Sequence, residues 1–181
     1  MNKTSLAKKL LWMIIPSALL ILLDQFTKIE AAARLAGKSP FVIIPGALEF
    51  YYIENTGAAW GMMAGARTFF IILTVIVIAA VVYVVMRIPD LSRYKMLMTS
   101  AVFLIAGAVG NLIDRVILHY VRDFIYFSLI DFPVFNVADM CVTACVIALI
   151  IGICFIYRND DFAFLRLHQN KQRKAEDGDR S

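Results

Sequence analysis

Charge is what this chain has least of: 18% of its 181 residues are Asp, Glu, Lys or Arg, against 61% in the hydrophobic set. That balance excludes an ordinary water-soluble domain of this size, which needs far more polar surface. Histidine and cysteine are also scarce. His119 and His168 have no ligand-like neighbours, and Cys141, Cys145 and Cys154 form no CxxC or Cys/His spacing within their one apolar run. A disulfide framework and a zinc site are therefore not indicated, and no metal or cofactor is expected. There is no HExxH and no G-x-S-x-G, which disfavours metallopeptidase and serine hydrolase chemistry. The absence of an internal repeat weakens a transporter built from inverted halves.

What is present in quantity is long apolar runs. A bilayer span takes roughly 20 mainly apolar residues, and four segments meet that: Leu10 to Ile29, Thr68 to Met86, Met96 to Ile113 and Asn136 to Tyr157. Leu10 to Leu23 follows Lys3, Lys8 and Lys9 as a signal peptide would, but no small-residue cleavage site precedes Asp24 and Lys28. It reads as a retained first span. The expected fold is an all-α membrane protein: one integral membrane domain, 1–181, with four transmembrane helices, a small extracytoplasmic β-rich subdomain and an interfacial aromatic loop.

Lys3, Lys8, Lys9, Arg87, Arg93, Lys95, Arg158, Arg166, Lys171, Arg173, Lys174 and Arg180 fall on one side of these spans. The other side holds half as many: Lys28, Arg34, Lys38, Arg67, Arg115 and Arg122. The richer side is the cytoplasm, so both termini are expected inside. The net charge of +4 is spread along span ends and gives no nucleic-acid-binding patch. Outside lie loops 30–67 and 114–135; a polar cytoplasmic tail covers 158–181. In the first loop, Phe41–Ile44 and Leu48–Ile53 flank Pro45-Gly46 and predict a small sheet on the membrane surface. The second loop carries Tyr120, Phe124, Tyr126, Phe127, Phe132 and Phe135, which suits the interfacial zone.

Ionisable groups beside spans are costly, so they are the first functional candidates. Asp24 and Lys28, then Asn111, Asp114 and Arg115, then Asn136 and Asp139, all converge on the outer face. Asp123 lies between the last two groups. Two close carboxylates cannot both ionise readily; they share a proton, and one activates water while the other protonates the substrate carbonyl. Asp123 and Asp139 suit such a pair. Asn136 is placed to orient it, and Asn55, Asn111 or Arg115 to hold backbone or support an oxyanion. Bland readings stand beside each. Asp24 and Lys28 are an i, i+4 pair that stabilises a helix end, Asn55-Thr56-Gly57 forms a turn, and Asp114 beside Arg115 is a local ion pair. Asp139 suits a helix start, Gly107 and Gly110 allow close helix approach, and Glu49, Glu54 and Asp131 are equally acidic outer residues. A proton or solute transporter and a non-catalytic lipid-binding subunit are the rival function classes.

Five segments carry a resemblance: Asp24-Gln25-Phe26-Thr27-Lys28, Asn55-Thr56-Gly57-Ala58-Ala59-Trp60-Gly61, Gly107-Ala108-Val109-Gly110-Asn111-Leu112-Ile113-Asp114-Arg115, Val121-Arg122-Asp123-Phe124 and Phe135-Asn136-Val137-Ala138-Asp139. In this order on four spans, the chain resembles the lipoprotein signal peptidase family, signal peptidase II. The resemblance implies a metal-independent aspartic endopeptidase of the bacterial inner membrane. It would cut a prolipoprotein just before its diacylglyceryl-modified cysteine and be the target of the cyclic peptide globomycin. It implies Asp123 and Asp139 as catalytic, with Asn55, Asn111, Arg115 and Asn136 as active-site support. Asp24, Lys28, Gly57, Gly110 and Asp114 fall on positions read as structural. Arg122 departs from the family's usual apolar residue and is placed to alter the charge near the pair or to contact headgroups; Ala106 stands where a second glycine is common. The aromatic loop and the sheet are expected to clamp the lipid-anchored peptide, with Phe124 and Trp60 as the residues to replace.

Overall fold

A computed structural model describes residues 3–57, 62–63, 65–89 and 92–165. Ala58 to Gly61, Trp60 among them, and the tail residues Arg166, His168, Lys171, Arg173, Lys174 and Arg180 lie outside the described residues.

Among the described residues four helices are long and apolar enough to cross a membrane: α1 (Lys3–Leu35), α2 (Arg67–Arg87), α3 (Lys95–Ile117) and α4 (Val137–Ile151), the last reaching that length with the helical turn that carries it on to Ile156. Their runs of Leu, Ile and Val satisfy every interior peptide group within the helix, which lipid requires. α2 stops at Ile88 because Pro89 bars the helical conformation of the residue before it. α4 loosens beyond Ile151 into a wide turn, Gly152–Ile156, closed by Tyr157 N–H donating to the Gly152 carbonyl at 2.8 Å. The all-α membrane fold with a small β subdomain, expected from the sequence, is the fold observed.

α3 is the central helix and touches all three others. It carries Met98, Ser100, Ala101, Val102, Ala106, Gly107, Gly110 and Asp114 as buried residues, whereas α2 buries Val85 alone. Gly107 explains the close approach of α3 to α4: a Cβ there would sit 2.4 Å from the Ala138 carbonyl oxygen. Arg67, at the start of α2, donates to the Arg115 and Val116 carbonyls at 2.7 and 3.0 Å, satisfying orphan acceptors at the end of α3.

Between the helices lies a three-stranded antiparallel sheet ordered β1 (Phe41–Ile44), β2 (Leu48–Asn55), β3 (Val121–Tyr126). The aromatic loop thus contributes a strand to the sheet expected from the first loop. Pairing of β2 with β3 slips between Phe50 and Ile53. Side chains alternate faces along a strand, and this irregularity resets the alternation. Leu48 and Phe50 before it and Asn55 after it consequently line one cavity with Val121, Asp123 and Ile125 of β3.

Candidate functional site

The site is assembled where the sheet meets the ends of α3 and α4. α3 leads into β3 through His119, whose backbone takes the left-handed conformation at φ 76° and reverses the chain. Asp123 then lies on the cavity face of β3, 2% exposed, with Asn55 as its diagonal cross-strand neighbour. Asn55 Nδ2 donates to Asp123 Oδ2 at 2.9 Å, while its Oδ1 accepts from Gly57 N–H at 2.9 Å. The turn and the site role of this segment are therefore one arrangement: the turn aims the amide at the carboxylate.

Asn136 and Asp139 form a capping box at the start of α4. Asn136 Oδ1 accepts from Asp139 N–H at 3.0 Å, and Asp139 Oδ2 accepts from Asn136 N–H at 3.1 Å. This leaves the Asn136 amide nitrogen to donate to Asp123 Oδ1 at 2.6 Å, so one residue reaches both carboxylates, Asp123 through its side chain and Asp139 through its backbone N–H. Asn111 Nδ2 donates to the remaining Asp139 oxygen at 2.7 Å, and its Oδ1 accepts from Asn136 Nδ2 and Lys28 Nζ at 3.1 and 2.9 Å.

Burial pushes the Asp123 carboxyl up to about 7, and the nearby Asp139 charge adds to that; the amides of Asn55 and Asn136 and the Lys28 ammonium pull the other way. At neutral pH Asp123 is therefore poised between its two protonation states. Such poise in a cleft marks a functional candidate.

Asp24, Lys28, Asp114 and Gly110 stand behind this pair. Asp24 Oδ1 accepts from Ala138 N–H at 2.8 Å, tying α1 to the first turn of α4. Lys28 lies 2.9 Å from Asp24 and 3.5 Å from Asp114. The i, i+4 pair is thus a fully buried structural tie within α1, which runs on to Leu35, and does not sit at the helix end the sequence suggested. Gly110 leaves room for it, since a Cβ there would meet Asp24 Oδ2 at 2.6 Å.

The pairing expected of Asp114 is corrected. Asp114 pairs with Arg122 at 2.6 Å, and Arg115 instead donates to the Gly57 carbonyl at 3.3 Å and lies 4.9 Å over the Phe70 ring. A bent side chain cannot easily pair with its immediate neighbour on a helix, whereas β3 brings Arg122 directly over Asp114. Arg122 for the same reason faces inward and is taken up by Asp114 and Gln25. Gln25 was not singled out by spacing; its only signal is its place beside Asp24.

The cavity holds about 960 Å³ and is walled by Phe50, Ile125, Phe127, Phe132, Phe135 and Met140, with Asn55, Asn111, Arg115, Asp123 and Asp139 as its polar groups. Phe124 is not on this wall; it is buried behind it, edge-on to Phe50 with ring centres 6.2 Å apart. Neighbouring residues alternate across a strand, so Asp123 and Phe124 cannot share a face. Glu49, Glu54 and Asp131 also lie off the cavity; Asp131 is exposed and accepts from the Tyr126 hydroxyl at 2.7 Å. Among the described residues, no three His, Cys, Asp or Glu side chains are grouped as metal ligands.

Comparison with known proteins adds an independent line. The family model for signal peptidase (SPase) II matches residues 17–155. The lipoprotein signal peptidase of Symbiobacterium thermophilum is 40% identical over 140 residues, which cover 76% of this chain and 91% of that protein. That of Streptococcus pyogenes serotype M5 is 36% identical over 144 residues, 80% and 91% of the two chains. A bacterial membrane enzyme solved by the in meso method at 2.3 Å resolution superposes with a TM-score of 0.71 and 35% identity, over 87% of this chain and 93% of its own. A second, solved at 1.9 Å, gives 0.69 and 37% over 80% and 94%.

Proposed function

The chain belongs to the signal peptidase II family, and from that premise we propose that it is an aspartic endopeptidase cutting prolipoproteins just before the diacylglyceryl-modified cysteine, with Asp123 and Asp139 as its catalytic pair. One observation carries the assignment: both carboxylates open on the same apolar cavity and are bridged by a single residue, Asn136, whose side-chain amide donates to Asp123 and whose backbone N–H donates to Asp139. The pair holds one proton between them. The ionised member takes a proton from water as it attacks the scissile carbonyl, while the protonated member gives its proton to the carbonyl oxygen; on collapse of the tetrahedral intermediate the proton taken from water passes to the leaving amine and the hydroxyl proton returns to the other carboxylate. Acid and base belong to the pair as a unit, because coupled groups titrate together.

The supporting groups divide the remaining work. Asn136 and Asn111 fix the carboxylates by donating to them. Asn55 orders Asp123 from the other strand. Arg115, held by Gly57 and Phe70, presents a cation at the cavity for peptide carbonyls or the developing oxyanion. The phenylalanine wall receives the apolar part of the substrate, and Phe127 and Phe132 replace Phe124 as the residues that clamp it. The excess of Lys and Arg at one set of span ends supports both termini in the cytoplasm and the site at the outer face of a bacterial cytoplasmic membrane. There the diacylglyceryl chains of the substrate remain in the outer leaflet. Globomycin is expected to compete for the same cavity.

The test is cleavage of a diacylglyceryl-modified prolipoprotein peptide by the purified protein in detergent with a chelator present. Wild type should cleave, and Asp123→Asn and Asp139→Asn should each lose on the order of 10²-fold to 10⁴-fold or more in rate. Persistence of cleavage in either folded variant refutes the pair. Ion or solute flux through vesicles without any cleavage would instead support a transporter.

A further inference from the structure

Behind the catalytic pair lies a layer of charge that no step of this hydrolysis uses. Asp24, Lys28 and Asp114 are at most 1% exposed, and the Arg122 side chain is 11% exposed. Two anions and two cations make the layer neutral. The cations are deployed differently. Arg122 Nη2 and Nε donate to the two Asp114 oxygens at 2.6 and 3.1 Å, and its backbone N–H donates to Oδ2 at 3.0 Å. Such forked, charge-assisted bonding satisfies the carboxylate almost completely. Lys28, farther from Asp114 at 3.5 Å, is 2.9 Å from Asp24 and 2.9 Å from Asn111 Oδ1. Asn111 in turn donates to Asp139 at 2.7 Å, so the ammonium stands one amide away from the pair.

We propose that Arg122 is a positioning residue for the reaction: by taking up Asp114 it leaves the Lys28 ammonium to the Asn111 relay that ends on Asp139, and by the same bonds it fixes the register of β3 one residue before Asp123. The role in catalysis rests on the assignment of Asp123 and Asp139 above. Other groups face this layer. Gln25 of α1 accepts from Arg122 at 2.9 Å; Glu54 of β2 is its cross-strand partner; Tyr52 and Tyr120 lie near it; Arg115 flanks the pair on the cavity side. None of these takes the place of the forked bond to Asp114.

The sign of each perturbation follows from charge balance. Arg122→Met leaves the layer with one excess negative charge, so Asp123 holds its proton more tightly and titrates at higher pH. Asp114→Asn leaves one excess positive charge and moves the titration down. The double variant restores neutrality and the wild-type position, as does Arg122→Lys. Each single displacement is on the order of one pH unit, the effect of one nearby charge inside a protein.

The measurement is an infrared titration of the protonated carboxyl band on the full-length protein in detergent, assigned to Asp123 by its loss in Asp123→Asn. It reads the proton whether or not a peptide is cut. Opposite displacements in the two single variants, cancelling in the double, sustain the proposal, and the alkaline limb of cleavage should move with them. Coincidence of Arg122→Met with wild type, or displacement of both singles in one direction, overturns it. Should Arg122→Met fail to fold, the double variant must still titrate above Asp114→Asn, and equality of those two overturns the proposal equally. Displacements as stated in a protein that cleaves nothing would sustain the charge relay and sink the peptidase assignment alone.

Discussion

Two lysines are buried among the described residues of this membrane protein, one at each end of the helix bundle, and they are made tolerable in different ways. Lys9, 1% exposed, donates its ammonium to the Ile88 carbonyl at the end of α2. No carboxylate is paired with it among the described residues; the unsatisfied carbonyls and negative dipole end of the helix receive it. Around it the core is apolar, with Met13, Val85, Met98 and Tyr157. Lys28, fully buried at the sheet end, is ringed by Asp24, Asp114 and the Asn111 amide. A helix end absorbs a cation and leaves nothing over. Full carboxylates and amides make a network whose field extends to further groups, and chemistry can use that field.

The sharpest way to break this comparison is to replace each lysine by methionine. Lys28→Met takes the ammonium away from buried Asp24, and removing one partner of a buried pair costs about 3–5 kcal/mol. Cleavage of lipidated peptide should fall below detection even where the protein still folds. Lys9→Met gives up one hydrogen bond, about 1–2 kcal/mol, and keeps the volume filled. Its melting temperature should drop modestly and its cleavage rate stay within about twofold of wild type, since no group at that end lines the cavity of the proposed site. Equal loss of cleavage in both variants would erase the distinction.

A gentler probe uses one glycine from each end. At Gly110 an added methyl meets the Asp24 carboxylate at 2.6 Å and Ala138 Cβ at 3.1 Å, so Asp24 must leave the Ala138 N–H. Overpacking of this kind costs about 1–3 kcal/mol, and Gly110→Ala should lose roughly tenfold in cleavage as the first turn of α4 shifts, because small misplacements of a catalytic group are expensive. At Gly152 the methyl meets the edge of the Tyr157 ring at 3.1 Å. Gly152→Ala should lower the melting temperature slightly and leave cleavage unchanged. Both are read from thermal unfolding and initial rates on the same preparations.

How much of this was legible in the sequence depends on the range of the interaction. The four spans were, because a bilayer imposes a length and an apolar run declares it. So was the gathering of costly polar residues at one end, since each sits beside a span boundary. β3 was not: Val121–Tyr126 pairs with β2 about seventy positions earlier, and its aromatic content reads equally well as an interfacial loop. The slip at Phe50 to Ile53, which brings Asn55 onto the cavity face, has no local signature at all. Charge spacing misled in one respect. Asp114 next to Arg115 suggested a pair, but the partner came from the following strand. Composition left Asp123 and Asp131 equal as acids; burial and the Asn136 amide separate them.

The smallest effect expected is also the one that isolates the catalytic end of the sheet from its rim. Asn55 donates to Asp123 and favours its charged form, while burial and Asp139 favour the neutral form, and the balance lies at about 7. Asn55→Ala removes a stabiliser of the charge, so Asp123 must titrate higher. In the proposed mechanism the pair works with one proton between its members, so activity is lost as that proton leaves on the alkaline side. The alkaline limb of kcat/KM, near neutral pH in wild type, should therefore move upward in Asn55→Ala, by a fraction of a pH unit, as expected for one neutral hydrogen bond on the order of 1 kcal/mol. Tyr126→Phe supplies the contrast, since it deletes the hydroxyl bonded to exposed Asp131 on the same sheet but off the cavity. Its limb should superimpose on wild type. A limb that moves in both variants would mean that loosening the sheet, and not the loss of one donor to Asp123, sets the proton affinity of the site.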